Sequence, residues 1–492
     1  MLSFILLVIL VVCFCLHKTK GILWGRNRKD DEPPIVPGHP IWGNGQQFNN
    51  DSIKFILGAQ KKLGDIFSIR MLHYFMTVIA DPHCFDAFSK ERSFDFEPIQ
   101  EQVNGNIFGF KIPEANRMRK FVGKTTRGSA VPRNLHAFSM LLEESYSTLE
   151  HESSFGEWNT VSLDRLANQT LFKTIFNSVF GEDKESTSFN YELFHKHLQV
   201  FHKYFSYLWI GLPHWMFPEA TKAVEQLFNQ PTPSEFMKSD CTSEYLKAAI
   251  EFLQSYNLSD KEIKCHNLVF LHINVNTFKI ATWCLYQLMS HKAAMSSVRA
   301  EIENLVEANK EMQQSEDNVV TISAKEIENL ETLDSLVMET FRMSSGVFMV
   351  RHNQEDTNFT VTSTGQTYRI RAGDKVMMYP PAIHKDPEIY ENPEEFQYDR
   401  FIGKTFYKNG KALKTPVLPF GSICPGRRIA LLQTKWYIVS MLYKFDLELL
   451  EGESCDFDTT YPGHEIVPAT NDVQIRFRHR ESSTKIQVTQ QC

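Results

Sequence analysis

The sequence predicts a mainly α protein with small β-sheets: one large helical domain with a minor β-rich part, behind an N-terminal apolar segment. Three observations carry this. From Phe110 to about Tyr256 the apolar residues recur mostly at helical spacing. Two capping-box patterns, Ser259-Asp-Lys-Glu262 and Ser323-Ala-Lys-Glu326, open further helices, and the first runs without Gly or Pro to about Ser290. Short runs at Ile66–Met71, Phe75–Ala80, Phe348–Arg351 and Tyr368–Val376 read as strands, with a helix from Ser52 to Lys62 ahead of them. The boundaries that follow are 1–24 for the apolar segment, 25–40 for a proline-rich hinge, 41–480 for the globular domain and 481–492 for a polar, frayed tail.

Leu2 to Leu16 is apolar apart from Ser3, and is followed by Lys18, Lys20, Trp24, Arg26, Arg28 and Lys29. The run is short for a bilayer span but has no basic leader and no small-residue cleavage site. It therefore reads as a retained membrane anchor. Positive charge after it places the bulk of the chain on the cytoplasmic side, with Trp24 at the interface. Pro33-Pro-Ile-Val-Pro-Gly-His-Pro40 is stiff and extended, because each proline pushes its predecessor out of the helical region. A net charge of −7 with no basic block excludes nucleic acid as a partner. Nine scattered cysteines form no Cys-x-x-Cys pair, so neither a zinc site nor a disulfide framework is indicated. The aromatic stretch Val200–Phe217, broken by Gly211 and Pro213, reads as core or as the roof of a pocket that touches a membrane.

One cysteine stands apart. In Leu418-Pro-Phe-Gly-Ser-Ile-Cys-Pro-Gly-Arg-Arg428, Cys424 sits in a turn at the mouth of an apolar helix. Backbone N–H groups and the helix dipole there favour a thiolate over a thiol. A fixed thiolate can be the strong axial ligand of an iron, whereas an isolated Cys-Pro-Gly is usually just a small buried hydrophobe. Upstream of that loop, Glu339 and Arg342 lie three apart on one face of an apolar helix, and Arg400 follows in Phe396-Gln-Tyr-Asp-Arg-Phe401. A buried carboxylate between two guanidiniums can be satisfied where a lone charge could not.

Phe420, Gly421, Cys424, Pro425, Gly426 and Arg427 resemble the haem-binding loop of the cytochrome P-450 superfamily, and Glu339, Arg342 and Arg400 resemble its Glu-x-x-Arg motif with the third partner. The resemblance implies a cytochrome P-450 fold and haem b held by Cys424, with Phe420 and Gly426 shaping the loop. It makes Arg351 a candidate partner for a haem propionate, with a strand-end surface arginine as the equal alternative. It also makes the helix from Ser259 the oxygen-side helix, where an acid and a threonine usually deliver protons. Here those positions read Val275 and Asn276, followed by Thr277. Asn276 and Thr277 are assigned to ordering water there, the alternative being that Asn276 bonds neighbouring carbonyls. The departure to asparagine is shared with the cholesterol and oxysterol 7α-hydroxylases, the sterol 12α-hydroxylases and prostacyclin synthase. Met377–His384, Asp386–Phe396 and Thr405–Lys414 are most similar to the oxysterol 7α-hydroxylases.

The resemblance therefore implies 7α-hydroxylation of a steroid or oxysterol at the endoplasmic reticulum membrane, with the catalytic domain facing the cytoplasm. Electrons would come from NADPH through a reductase. One departure matters: the family pattern separates phenylalanine and cysteine by seven positions, and here the separation is four. Either Lys411–Val417 shifts register and Val417 takes the phenylalanine's role, or the loop is strained, or this copy is incomplete. A rearranging isomerase like prostacyclin synthase and a non-catalytic sterol-binding protein are the two other readings.

Overall fold

The computed structural model describes residues 27–40, 42–71, 74–152, 156–181, 190–209, 211–313, 318–421, 424–458, 464–481 and 484–490. The apolar segment assigned to a membrane anchor lies outside them. The chain forms two compact units. One contains the described residues up to Ile99 with Val347–Glu394 and Thr405–Ser422; the other contains Gln100–Gly346, Glu395–Lys404 and the chain from Ile423.

The first unit is built on a five-stranded sheet. Its order is Ile66–Met71, Tyr74–Ile79, Lys375–Met378, Met349–Asn353 and Phe94–Asp95. The first pair is antiparallel, with Ile66 opposite Ile79, and Tyr74–Ile79 runs parallel to Lys375–Met378. Phe67, Ile69, Val78, Ile79 and Val376 are fully buried, as expected for β-branched and aromatic residues in a covered sheet. The stretch Tyr368–Val376, read from sequence as one strand, is two. Thr367–Ile370 pairs with Thr357–Thr360 in a separate hairpin. Gly373, at φ 83°, then turns the chain into Lys375–Met378. The helix predicted at Ser52 forms as Ser52–Leu63, with Asp51 accepting from the Lys54 N–H at its N-terminus.

The proline-rich stretch is not a free spacer. Ser68 N–H donates to the Pro34 carbonyl at 2.8 Å, and Val36 N–H donates to the Ser68 carbonyl at 2.8 Å. Just before it, the buried carboxylate of Glu32 holds Arg369 at 2.8 Å and Arg371 at 2.5 Å. Prolines cannot donate to a ladder, but the Pro34 carbonyl accepts and the Val36 N–H donates, so the segment lies along the edge of the sheet.

The second unit is mostly helical and is threaded by the helix Asp260–Ser290, 31 residues long. Its start is the predicted capping box, with Ser259 and Glu262 satisfying each other's backbone N–H groups. It is apolar and long enough to cross a membrane, but 67% of that apolar window is buried inside the protein. Helices Glu331–Ser344 and Arg427–Lys444 pack on it. The second capping box opens only a short helix, Ala324–Glu328. A new helix starts at Glu331 because Glu301 accepts from the Thr332 and Leu333 N–H groups at 2.8 and 2.9 Å, an N-terminus capped from a neighbouring helix. Sequence periodicity missed the strand Asn159–Ser162, which pairs with Gln474–His479 in a three-stranded sheet completed by Phe445–Leu449. Its burial is only partial, so no alternation marks it.

The polar tail also differs from expectation. Lys485–Val488 forms a parallel pair with Val319–Ile322 and buries Ile486 and Val488. Two apolar side chains in an otherwise polar stretch are enough to dock a strand. Removing residues 481–492 should lower unfolding stability by about 3 kcal/mol or more, the worth of two buried aliphatic side chains. A thermal melt of the truncated and full-length proteins reads this directly, and identical midpoints would show that the strand contributes nothing.

Candidate active site

Cys424 lies at the entrance to the helix Arg427–Lys444, whose N-cap is Gly426. The residue is exposed, while the protein packed around its sulfur still withholds water from it. The first helical turn directs the Gly426 and Arg427 N–H groups at the sulfur. Burial nevertheless raises the thiol pKa and outweighs those two donors and the Arg427 charge, which pull it down. The thiolate preference expected from the turn alone is therefore overruled by desolvation. A metal would reverse that, since a coordinated thiol loses its proton outright. A sulfur with two backbone donors fits the axial thiolate of a haem.

The helix that carries this cysteine is tied to the charged trio. Lys435, with only 3% of its side chain exposed, pairs with Asp334 at 2.7 Å and donates to the Glu328 carbonyl at 3.0 Å. One turn beyond Asp334, Glu339 is fully buried. Its Oε2 accepts from Arg342 Nε at 2.7 Å and its Oε1 from Arg342 Nη2 at 2.8 Å. Oε1 also accepts from Arg400 Nε at 2.9 Å and from the Gln397 N–H at 3.0 Å. Both guanidiniums donate to the Glu395 carbonyl, at 3.2 and 2.8 Å. Two cations thus share one carboxylate and one carbonyl, and segment 395–401 is fixed to the helix Glu331–Ser344.

On the long helix, Asn276 and Thr277 sit at mid-length, Thr277 buried and Asn276 half-buried. Asn274 donates back to the Phe270 carbonyl at 2.8 Å. Asn276 does not do the same. Its Oδ1 is buried with no partner, and the side chain makes no hydrogen bond among the described residues. A buried carbonyl oxygen without a donor calls for water or ligand. One turn earlier is His272, whose Nδ1 is 2.9 Å from His202 Nε2 and whose Nε2 is 3.3 Å from Glu465 Oε1. The carboxylate only accepts, so His272 donates through Nε2 and receives from His202 through Nδ1. Burial raises the Glu465 carboxyl, but His272 and Lys279 together outweigh this and hold it below its ordinary range. Nothing in the sequence pointed to Glu465 or His202.

In the first unit, Arg351 is buried on the strand Met349–Asn353. Its guanidinium lies 4.9 Å from the Phe96 ring centre and 5.3 Å from that of Phe88, and Nη1 donates to the Val350 carbonyl. The surface alternative for this arginine is thus excluded. Val417 and Leu418 are buried, Phe420 is half-buried, and Gly421 turns at φ 56°. Ser422 and Ile423 lie outside the described residues. The two units divide the predicted residues between them: Arg351 and Phe420 in the first, Asn276, Thr277, the charged trio, Cys424 and Gly426 in the second.

Replacing Glu339 by Gln would leave two buried guanidiniums sharing no anion. The cost should be about 3–5 kcal/mol. Urea unfolding of Glu339→Gln, monitored by far-UV circular dichroism, checks this; a midpoint within error of the parent would mean the trio is held by its carbonyl contacts alone.

The sequence profile described as "Cytochrome P450" matches residues 33–475. Cholesterol 7-alpha-monooxygenase of Cricetulus griseus is 26% identical over 498 residues, covering 95% of this chain and 97% of the relative. The 5-beta-cholestane-3-alpha,7-alpha-diol 12-alpha-hydroxylase of Sus scrofa is 27% identical, covering 98% of both. The 25-hydroxycholesterol 7-alpha-hydroxylase of Rattus norvegicus is 29% identical over 65% of this chain and 80% of its own length. With a profile match across nearly its whole length, the chain belongs to the cytochrome P450 family of monooxygenases.

Proposed function

We propose that the protein hydroxylates a steroid or oxysterol at the 7α position, with electrons from NADPH passed on by a reductase, while anchored to the endoplasmic reticulum membrane with its catalytic domain on the cytoplasmic side. The observation that carries this reading is end-to-end similarity to enzymes named as sterol 7α- and 12α-hydroxylases. Membrane attachment is supported by the apolar run Leu2–Leu16 and by a second feature. Tyr207, Trp215 and Met216 are exposed beside the buried Phe201, Phe205 and Leu208. The aromatic stretch is thus part core and part an apolar surface suited to a lipid interface.

The haem, when bound, supplies cleavage of the O–O bond, which electron density from the thiolate favours. The chain supplies the rest. Gly426 and Arg427 N–H groups hold the Cys424 sulfur in place. Arg351 offers a forked donor for a propionate. The unpartnered Asn276 Oδ1 orders a water, and Thr277 adds a hydroxyl beside it on the same helix. The His272–Glu465 pair, one turn away, provides a proton-bearing group next to that water.

Two measurements test the reading. The reduced, carbon-monoxide-bound absorption spectrum of the purified protein should show the haem-thiolate band, and Cys424→Ala should abolish it; a normal band in that variant refutes the ligand assignment. With NADPH and reductase, oxysterols should gain one hydroxyl, and product formed without either would move the assignment to an isomerase. In the same assay Asn276→Ala should reduce coupled turnover by about 10- to 100-fold with haem content intact. Unchanged coupling would leave Asn276 a structural residue only.

A further inference from the structure

The second unit carries a half-open cavity of about 560 Å³ beside the C-terminal half of the long helix. Its other walls come from the helix Tyr191–Lys203, from Cys455, Asp458 and His464, and from residues 468–473. Val200, Phe278 and Trp283 give it an apolar lining; the exposed Lys203 stands on its wall, and Lys279, His195, His202 and His464 bring a more deeply set ammonium and three imidazoles to it.

The hydrogen bonds leave that ammonium without an anion. His464 Nε2 is 3.0 Å from the His202 carbonyl, which can only accept, so the ring proton is on Nε2. His464 Nδ1 is then an acceptor, and it takes Lys279 Nζ–H at 3.4 Å. No described carboxylate lies within 4.0 Å of Lys279; Glu465, whose Oε1 is engaged by His272, acts on it only through its charge. Burial, aided by the Lys279 charge, pushes His195, His202 and His464 down and keeps them neutral. Burial also lowers Lys279 itself, to about 8, partly offset by Glu465, so it is still charged at neutral pH. His195 is 3% exposed and stacked on Phe172 at 4.4 Å, and its Nδ1 has no partner.

The cavity also has an acidic side. Asp164 and Asp472 line it, and burial together with Asp472 raises the Asp164 carboxyl to about 6. That pair is already engaged: Asp164 accepts from Asn168 and Gln199, and Asp472 accepts from the Asp164 and Val473 N–H groups. Neither acid is among the charges that act on Lys279. One side of the cavity therefore attracts a negative group and another repels one.

We propose that this cavity binds an amphipathic monocarboxylate, its carboxylate on Lys279 Nζ and His195 Nδ1 and its apolar body against Val200, Phe278 and Trp283. The acidic pair selects against a second negative group. This site is additional to the steroid reading and does not depend on it.

Full-length, haem-loaded protein is titrated by calorimetry with 2-naphthoate, its neutral isostere 2-naphthamide and 2,6-naphthalenedicarboxylate, while the Soret band is followed in parallel. 2-Naphthoate should bind about tenfold or more tightly than either of the other two, with the Soret band unmoved. Lys279→Met should erase the preference over the amide, and Lys279→Arg should keep it. His195→Phe, which preserves the stack on Phe172, should weaken 2-naphthoate severalfold. No heat with any probe, equal affinity for acid and amide, a preference surviving Lys279→Met, or a Soret shift on 2-naphthoate binding overturns the proposal. If Lys279→Met loses its haem-thiolate spectrum, Lys279→Arg and His195→Phe decide the matter: loss of the acid preference in Lys279→Arg, or unchanged affinity in His195→Phe, overturns it equally.

Discussion

A single carboxylate holds the larger unit in register. Glu339 is fully buried and receives four hydrogen bonds, three from guanidinium nitrogens and one from a backbone N–H. Taking such charges out of water is costly, and the arrangement is tolerable because both guanidiniums donate to the one carboxylate and again to the Glu395 carbonyl. The same helix is fixed from the other side by the Lys435–Asp334 pair, which comes from the helix that begins three residues after Cys424. The sulfur is therefore referred back, through one buried lysine and one buried trio, to a rigid charged centre. The chemistry of an axial ligand needs that rigidity, because a thiolate on a loose loop cannot define the position of an iron.

The long helix works differently. It is buried on most sides and should be uniformly apolar, yet it carries His272, Asn274, Asn276, Thr277 and Lys279 in one short stretch. Each meets a different fate. Asn274 satisfies itself on its own helix, His272 reaches Glu465 and His202, and Lys279 finds only an imidazole. Asn276 finds nothing among the described residues. Unsatisfied polar groups in a buried helix are destabilising, so their persistence at this depth marks places where the fold has been bent toward function.

Some of this was legible in the chain itself. The capping box at Ser259 and the absence of Gly or Pro to Ser290 gave both ends of the long helix, because helix starts and stops are local chemistry. The spacing of Glu339 and Arg342 fixed that pair, since three residues on a helix is a contact. Other features were not legible. The tail Lys485–Val488 looks too polar to fold, and what docks it is Val319–Ile322, more than a hundred and fifty residues away. Tyr368–Val376 looks like one strand until the sheet splits it at Gly373. Cys424 sits at a helix mouth that should ionise it, and desolvation of its sulfur by the surrounding protein outweighs the helix donors.

By itself the sequence determined which side chains could bear chemistry: a cysteine at a helix entrance, a Glu-x-x-Arg pair, an asparagine within a buried helix. These depend on neighbours a few residues apart, where backbone geometry alone decides who meets whom. Tertiary structure decided who is satisfied and who is not. It joined Arg400 to Glu339, gave His272 its carboxylate from Glu465, and left Lys279 facing imidazoles rather than an anion. Those outcomes depend on desolvation and on partners brought from far along the chain, and neither is written in local spacing.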